Sequence, residues 1–581
     1  MIHHLLLAAL AAAPGTQPPP ISTSGWCSPV FINVNGPVNV TCKGVDPRAL
    51  AVLNRNLGGL KLNYKQKEAE ANDWAKRYNT LQDRLKEESN GNEMARQAED
   101  YLKQGKLDEA IAVLKQLTAT QDKENVDKAA LRYYETGLAL EMQFKAPDAL
   151  PFLEEAQQIR PHQPEYALEY ARVLVRENRN ADARAVYDRI LPWLDDQSQK
   201  DFKFAPVYMI ALHDAAQVYS NQGDVDRAED AETKAFFQCL VLEVPQETGA
   251  QCNDAALFMI AAGLGTLEMK QGQYNQAERI YTQAFNVIKA NSKNGTANLP
   301  EQAELLTKLG VALIGEEKYP DAHKVLSMAS SIENLLLDRK DPGTRSLAAV
   351  TASVLGLLEF DQKDFAHGEQ DFKQAAEILR ELAPQDPDAY QPGQETVLSQ
   401  WARLEYDAHR LEQARPVYEE VLPLLQKLAA ADPAQYLSGL NDTYCGLAVV
   451  HAQAKDYEES LRLIKLSVEV SRKMDPTTDN LEILGKRLCT LTLIAKDAGQ
   501  IELAEASADE SEQILRKLYG QNSESYSDSF VQTLIAQGVV LSAKHDCDGV
   551  SRRITEATRI STSPEVTQAA SIIQTGCHPS Q

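Results

Sequence analysis

The stretch Leu309-Gly-Val-Ala-Leu-Ile-Gly-Glu-Glu-Lys-Tyr-Pro-Asp-Ala322 decides the fold of this chain. Its Gly310 stands twelve positions before Ala322, and a further small residue, Ala329, follows seven positions later. The same spacing recurs at Gly137, Ala149 and Ala156, at Gly265, Ala277 and Ala284, and at Gly356, Gly368 and Ala375. Small residues let two helix axes approach where they cross, so this internal repetition predicts a solenoid of antiparallel helix pairs.

Short polar turns separate the two helices of each predicted pair. Examples are Asn221-Gln222-Gly223-Asp224 and Lys270-Gln271-Gly272-Gln273, in which glycine can adopt the left-handed conformation that ends a helix. The small-residue spacing and the Gln-Gly turn together resemble the tetratricopeptide-repeat (TPR) family, here of bacterial type, over roughly residues 92–520. The departures from the family pattern are Ser460 in place of Ala and several copies that lack aromatic residues. The resemblance implies a superhelical array with a concave groove that binds other proteins.

The repeat period is longer than that of a minimal TPR. Of the nine intervals between successive markers, only the one from Ala149 to Ala183 equals the 34 residues of that repeat. Most of the others are about ten residues longer. The predicted array of about ten helix pairs is similar in this period to the repeats of kinesin light chains.

A hairpin is predicted before the repeats. Residues 28–42 alternate apolar and polar residues on either side of Asn35-Gly36, which is a typical two-residue hairpin turn. Pro37 restricts which strand edge can pair. The hairpin and the following Val40–Leu50 run resemble a leader found on some bacterial TPR proteins.

A coiled-coil stalk is predicted over the next segment. Walking from Leu50 in alternating steps of three and four gives eleven positions, and ten of them are apolar, Lys67 being the exception. Gly58-Gly59 weakens the first half of the seam. We expect self-association through this helix, and the alternative is that it folds back along the solenoid. The residues expected to mediate oligomerisation are Leu50, Leu53, Leu57, Leu60, Trp74, Tyr78, Leu81 and Leu85.

The sequence therefore predicts an all-α fold, a TPR superhelical solenoid preceded by a short β-hairpin and a long coiled-coil helix. The expected domains are a signal peptide and Pro-rich leader (1–20), the β-hairpin (21–45), the coiled-coil stalk (46–90), the TPR array (91–526) and a C-terminal helical cap (527–581).

Export is predicted from the N-terminus and from the cysteines. Leu5 to Ala13 form an apolar run that is too short to span a bilayer and is followed by small residues, as in a signal peptide. The first residues carry no Lys or Arg, so a cytoplasmic location is the alternative to a periplasmic or secreted one. Three local cysteine pairs suit an oxidising compartment, although spacing alone leaves their connectivity open. The disulfide candidates are Cys27, Cys42, Cys239, Cys252, Cys547 and Cys577, whereas Cys445 and Cys489 are expected to be small buried residues.

Composition and motifs argue against several functional classes. The formal net charge of −24 disfavours a nucleic-acid partner, because phosphate binding needs a surplus of Lys and Arg. No apolar run is long enough to span a membrane. The sequence lacks phosphate-loop, dinucleotide, zinc-protease and serine-hydrolase motifs. We therefore expect no enzymatic activity, no cofactor, no metal site and no catalytic residue.

A partner-binding ladder is predicted four residues after the small marker of four consecutive first helices. The proposed contact residues are Met269, Ile314, Phe360 and Tyr406, with Lys270 and Arg403 beside them. A partner helix or peptide would lie on this ladder. The alternative is that these side chains only pack between repeats.

The predicted function is a scaffold or adaptor for protein partners of unknown identity, which also forms homo-oligomers through the coiled coil. A structural protein that builds an oligomer or envelope assembly is the second hypothesis, and an enzyme is a remote third.

Overall fold

The computed structural model describes residues 27–31, 38–42, 44–59, 64–119, 126–242, 252–292, 298–336, 342–575 and 577. Within these residues the chain is helical almost throughout. It divides into two units, Met1–Gly393 (unit 1) and Gln394–Gln581 (unit 2). Each unit is a solenoid in which consecutive helices pack as antiparallel neighbours.

The predicted fold class is corrected at the N-terminus, because the described residues form a helical solenoid and no single long coiled-coil helix precedes it. Of the predicted hairpin they include two short strands but not the turn. Two five-residue strands, β1 (Cys27–Phe31) and β2 (Val38–Cys42), pair antiparallel with Cys27 opposite Cys42. The predicted turn at Asn35-Gly36 and the predicted signal peptide lie outside the described residues. In place of one long coiled-coil helix there are two helices, α1 (Pro47–Gly59) and α2 (Tyr64–Glu88), and the first ends at the Gly58-Gly59 pair.

The repeats begin at residue 93, and odd-numbered helices are the first members of their pairs. The helices whose residues lie wholly in unit 1 are α3 (Glu93–Lys103), α4 (Leu107–Ala119), α5 (Val126–Glu141), α6 (Ala146–Ile159), α7 (Pro164–Arg176), α8 (Asn180–Lys200), α9 (Ala205–Asn221), α10 (Val225–Leu242), α11 (Asp254–Lys270), α12 (Tyr274–Asn291), α13 (Leu299–Gly315), α14 (Tyr319–Leu336), α15 (Pro342–Asp361) and α16 (Phe365–Leu382). A 3₁₀ turn, Phe202–Phe204, lies between α8 and α9.

The boundary between the units falls within α17 (Pro387–Asp407). The helices that follow are α18 (Leu411–Ala431), α19 (Pro433–Gln453), α20 (Tyr457–Lys473), α21 (Thr478–Asp497), α22 (Ile501–Gln521), α23 (Ser523–Ala543), α24 (Cys547–Ile560) and α25 (Pro564–Thr575). The extra residues of the long repeats lengthen the helices: α4 has 13 residues, whereas α18 has 21.

The small marker residues lie where paired helices cross, as the sequence predicted. A Cβ atom added at Gly356 would lie 2.7 Å from the Phe372 ring and 3.1 Å from the Gly368 carbonyl oxygen. In α19 and α20 the equivalent contact is a hydrogen bond of 2.6 Å from the Ser460 hydroxyl to the Ala448 carbonyl. Serine therefore replaces alanine there because its hydroxyl finds a backbone acceptor.

The turns between paired helices also follow the prediction. Gly105, Gly223 and Gly272 have φ values of +71°, +75° and +77°, which an L side chain rarely adopts. Several later turns place a non-glycine residue at this position, such as Lys363 at φ 64° and Lys455 at φ 61°. The long helices on either side fix the geometry of the turn. A residue other than glycine therefore adopts the left-handed conformation there.

Buried hydroxyl groups connect neighbouring helices in the core of unit 1. The hydroxyl groups of Thr307 in α13 and Thr351 in α15 lie 2.7 Å apart. The Thr351 hydroxyl donates a hydrogen bond of 2.6 Å to the Glu333 carboxyl in α14. Burial raises the pKa of Glu333 to about 7, since only this hydroxyl opposes the loss of hydration.

This carboxyl makes the stability of unit 1 depend on pH. A raised folded-state pKa contributes stability that is present below the unfolded pKa of 4.5 and is lost as the pH rises through about 7. Glu333→Gln keeps an acceptor for Thr351 but cannot ionise. We expect it to stabilise the protein at pH 8 by roughly 3 kcal/mol, at about 1.4 kcal/mol per pKa unit, and by less than about 1 kcal/mol at pH 5. Urea unfolding of both proteins at the two pH values measures this, and a pH-independent difference would exclude Glu333 as the source.

The last helix pair closes unit 2. Helix α25 packs against α23 and α24, and a cluster of Val550, Ile554, Ala570 and Ile573 lies between them. The boundary predicted at residue 526 falls within α23, so the array and its cap share a helix.

Candidate functional site

Most of the predicted partner-binding ladder is buried. Met269, Ile314 and Phe360 expose 1%, 2% and 5% of their surface. The Phe360 ring lies 5.6 Å from that of Phe365 and 5.9 Å from that of Phe372, both in the second helix of its own pair. The prediction is corrected for these three residues, because at the end of a first helix they pack against the neighbouring helices and are not free to meet a partner.

The remaining members of the predicted set lie at the surface. Lys270 and Arg403 are exposed, and Arg403 pairs with Asp407 at 3.7 Å. Tyr406 is half-buried and lines a cleft in unit 2. Of the four ladder residues, Tyr406 is therefore the one that the structure places at an open surface.

The predicted oligomerisation seam is also buried, within the chain itself. Leu50 is half-buried, and Leu60 lies outside the described residues. The Trp74 indole nitrogen donates a hydrogen bond of 2.8 Å to the Met142 carbonyl. We therefore correct the predicted self-association stalk: the helix folds back on the solenoid, which was the alternative. An apolar seam can be buried equally well against the chain's own helices as against a second chain. The seam residues that expose 1% or less are Leu53, Leu57, Trp74, Tyr78, Leu81 and Leu85.

Helix α2 lies on the inner face of unit 1. It contacts the first helices α3, α5 and α15, which are separated by several repeats along the chain. One helix can reach both ends of this series only from inside the curve that the repeats make. The inner face of unit 1 is thus covered by a helix of the same chain.

Buried charges hold α2 in this position. Arg77 donates hydrogen bonds of 2.8 Å to Glu169 in α7 and to Asp73 in α2. Glu141 of α5 lies 4.0 Å from Arg77 and also pairs with Arg176. These are charge-assisted contacts in a region closed to water, where an ion without its partner would be costly.

The pKa values reflect this pairing. Burial acts to raise the pKa of the Asp73 carboxyl, but the positive charges of Arg77, Arg176 and Arg172 lower it below its ordinary value. Burial acts to lower the pKa of Arg77, whereas the charges of Glu169 and Asp73 raise it. The network is therefore ionised when the protein is folded at neutral pH.

The inner face of unit 2 carries an open cleft of about 400 Å³. Leu493 is 40% exposed in it, beside the half-buried Val449 and Ile535. The lining residues come from the first helices α17, α19, α21 and α23: Tyr406, Cys445, Val449, Lys486, Arg487, Cys489, Thr490, Leu493, Gln532, Ile535 and Ala536.

One arginine fixes the wall of this cleft. Arg487 of α21 donates through Nε to the Asn441 side-chain oxygen at 2.9 Å, and a second nitrogen lies 3.4 Å from the Cys445 sulfur. It also pairs with Asp442 of α19. The guanidinium group therefore joins α19 to α21 and leaves an apolar floor beside it.

The two thiols of the cleft are poor nucleophiles. Burial raises the pKa of Cys445 despite the nearby Arg487. Burial likewise raises the pKa of Cys489 to about 11. A thiol that stays protonated at neutral pH reacts slowly, so the cleft is suited to contact with apolar groups and not to covalent chemistry.

The other described cysteines lie at bonding distance. Cys239 joins Cys252 with a Cα separation of 5.2 Å, and Cys547 joins Cys577 with one of 5.4 Å. Cys42 is also in a disulfide. Cys445 and Cys489 are free thiols.

The residues that the structure describes contain no cluster of His, Cys, Asp or Glu side chains arranged to hold a metal ion. None of their helices is long and apolar enough to cross a membrane.

Sequence reasoning missed both the α2 network and the unit 2 cleft. Asp73 and Arg77 have the ordinary spacing of a solvent-exposed helix pair, so nothing local marks them as buried. The residues that line the cleft do form a repeated pattern in the sequence. Cys445 and Cys489 occupy the same position three residues before the small marker of successive first helices, with apolar Val449 and Leu493 four residues after each.

Comparison with known proteins supports the repeats. Residues 96–164 and 140–200 match models of the tetratricopeptide repeat, so this part of unit 1 consists of tetratricopeptide repeats. No curated protein matches the sequence.

Solved structures show low-level similarity. The apo form of RapI shares 13% identity over 64% of this chain and 96% of its own, with a TM-score of 0.41. A STAND-type signal-transduction ATPase with a tetratricopeptide-repeat sensor, from Pyrococcus horikoshii, shares 13% identity over 80% of this chain and 67% of its own, with a TM-score of 0.44. Pseudomonas aeruginosa pilF shares 15% identity over 47% and 98%, with a TM-score of 0.30.

Proposed function

We propose that this chain is a non-enzymatic TPR scaffold that binds a partner protein in the inner cleft of unit 2. TPR proteins act generally in protein–protein interaction, and the chain contains such repeats. The observation that carries the proposal is the contrast between the two inner faces. That of unit 1 is covered by α2, whereas that of unit 2 exposes Leu493 in an open cleft.

The chemistry of the cleft supports binding over catalysis. Its two cations are already engaged, Arg487 by Asn441 and Asp442 and Lys486 by Glu482, and burial raises the pKa of both of its thiols. What remains accessible is apolar surface with a polar rim, which is the usual composition of a protein-binding site.

Export remains part of the proposal. Paired cysteines at bonding distance support an oxidising compartment. Alkylation of thiols before and after reduction, in fractions of the native host, tests whether the protein is exported and oxidised.

Leu493→Asp is expected to abolish partner binding without unfolding unit 2. The side chain is 40% exposed, so a carboxylate there remains hydrated in the free protein. A partner that covers the cleft would have to bury this charge, which costs several kcal/mol and at least about a hundredfold in affinity. Capture from the native host with wild-type and variant chains measures the effect.

The matched control is Leu335→Asp, the same substitution at a residue of unit 1 that is 73% exposed. Proteins recovered by the wild-type and control chains but lost with Leu493→Asp support the proposal. Equal recovery by all three chains contradicts it.

A further inference from the structure

Two disulfides of the chain differ in their access to solvent. Cys239 and Cys252 expose 0% and 4% of their surface, so that bond is buried on both sides. Cys547, at the start of α24, is exposed, and only its partner Cys577 is buried. Thiol–disulfide exchange requires that an attacking thiolate reach one of the two sulfur atoms. The bond between Cys547 and Cys577 is therefore open to reduction, whereas the other bond is protected.

Helix α25 has few other attachments to the solenoid. Its buried residues are Ala570 and Ile573, and Ile572 is 65% exposed. Within the described residues, the side-chain hydrogen bonds of α25 stay inside the helix and its cap, and it has no ion pair there. A helix of 12 residues is marginally stable without tertiary contacts. The disulfide is thus the strongest link that keeps α25 in place.

The packing of α25 reaches the wall of the unit 2 cleft. A methyl group of Ile573 lies 3.7 Å from the position that a Cβ atom would take at Gly538 of α23. Ile535, one turn earlier in α23, packs against the same apolar cluster and also lines the cleft. Removal of α25 would therefore take away part of the packing that orders this wall.

We propose that the bond between Cys547 and Cys577 is a redox latch that regulates the unit 2 cleft. While the bond is intact, α25 stays on α23 and α24, and the wall of the cleft is ordered. When the bond is reduced, α25 dissociates and the part of α23 around Ile535 becomes mobile. The consequence for binding, a weaker affinity for the partner under reducing conditions, rests on the proposed function.

The reductant that the latch requires is a dithiol. Its thiolate attacks the exposed sulfur of Cys547, and Cys577 leaves as a thiolate that takes up a proton. The second thiol of the reductant then attacks the mixed disulfide and releases Cys547. Two electrons pass to the protein, and the reductant leaves as an intramolecular disulfide.

Titration of the full chain with dithiothreitol tests the access of the two bonds. Alkylation of the released thiols and peptide mapping follow each bond separately. We expect the bond between Cys547 and Cys577 to be reduced at least about tenfold faster than that between Cys239 and Cys252. The buried bond is the internal control, and equal rates of reduction would overturn the inference.

The cleft reports the state of the latch through its own thiols. The sulfur of Cys489 lies 3.7 Å from the Gln532 carbonyl of α23, whereas Cys445 contacts Arg487 of α21. In the double variant Cys547→Ser/Cys577→Ser, which cannot form the bond, we expect faster hydrogen exchange in α25. We also expect iodoacetamide to modify Cys489 at least about fivefold faster than in the wild-type chain, while Cys445 reacts at an unchanged rate.

The remaining outcomes separate the latch from the proposed function. An unchanged rate at Cys489 would overturn the latch, and so would an equal increase at both thiols, because the bond would then hold unit 2 as a whole. These measurements use no partner. The capture experiment with Leu493→Asp decides the proposed function, and its failure would leave the latch in place.

Discussion

Arg77→Ala is expected to destabilise unit 1 by about 3–5 kcal/mol, the usual cost of removing one partner from a buried ion pair. The substitution leaves the buried carboxylates of Glu169 and Asp73 without the cation that they share. It also removes the contact that joins α2 to α7. Urea unfolding of the full chain, followed by tryptophan fluorescence, should show an earlier transition, since Trp74 lies in the same helix.

The control for this prediction is an exposed arginine. Arg96 pairs with Glu93 across one turn of α3, and 57% of its side chain is exposed to solvent. Arg96→Ala should leave the unfolding transition where it is, because a hydrated pair contributes little. If the two variants unfold alike, the network around Arg77 does not hold α2.

Gly356→Leu is the second large expected effect, a loss of about 3 kcal/mol through overpacking. A Cβ atom at this position already approaches the Phe372 ring to 2.7 Å, and the backbone of α16 lies directly beyond. The leucine must therefore push α15 and α16 apart or displace Phe372. Thermal unfolding followed by circular dichroism measures the loss.

A glycine-to-leucine substitution at an exposed position should increase the stability of the protein instead of lowering it. Gly520 is exposed in α22, and a Cβ atom added there meets nothing within 4 Å. Gly520→Leu is expected to stabilise its helix by roughly 0.5–1 kcal/mol, since glycine is a poor helix residue. A similar loss in both variants would mean that helix crossing does not explain the glycine at 356.

The repeats were predictable because their physical cause is local. In this chain the two helices of a pair cross closely at a small residue and at another twelve positions later, and this spacing is visible in a single sequence. Gly137 shows this directly, since a Cβ atom there would lie 2.5 Å from the Leu153 side chain. The turn glycines are visible for the same reason, because a left-handed residue is needed at a fixed place.

The role of residues 47–88 could not be predicted in the same way. A seam such as Trp74, Tyr78 and Leu81 has the spacing of a coiled coil, but that spacing specifies only that one helix face is apolar. Whether a second chain or the chain's own first helices cover this face depends on long-range contacts, such as the pair between Arg77 and Glu169. Spacing within the helix carries no information about them.

The residues that line the candidate cleft were predictable in part. The first helices do line the open cleft, and Tyr406 lies in it. Phe360 does not, because its ring has space over Gly368 in the second helix of its own pair. A ladder side chain is exposed only where no side chain of a neighbouring helix covers it. Which side chains cover it depends on residues far apart in the sequence.

Hydrogen exchange of the full chain, with and without the protein captured by the wild-type chain, measures which inner face the partner covers. We expect the partner to slow exchange in α21 and α23 and to leave exchange in α2 unchanged. Slower exchange confined to unit 1, or faster exchange in α2, would show that the partner binds where α2 lies and not in the cleft of unit 2.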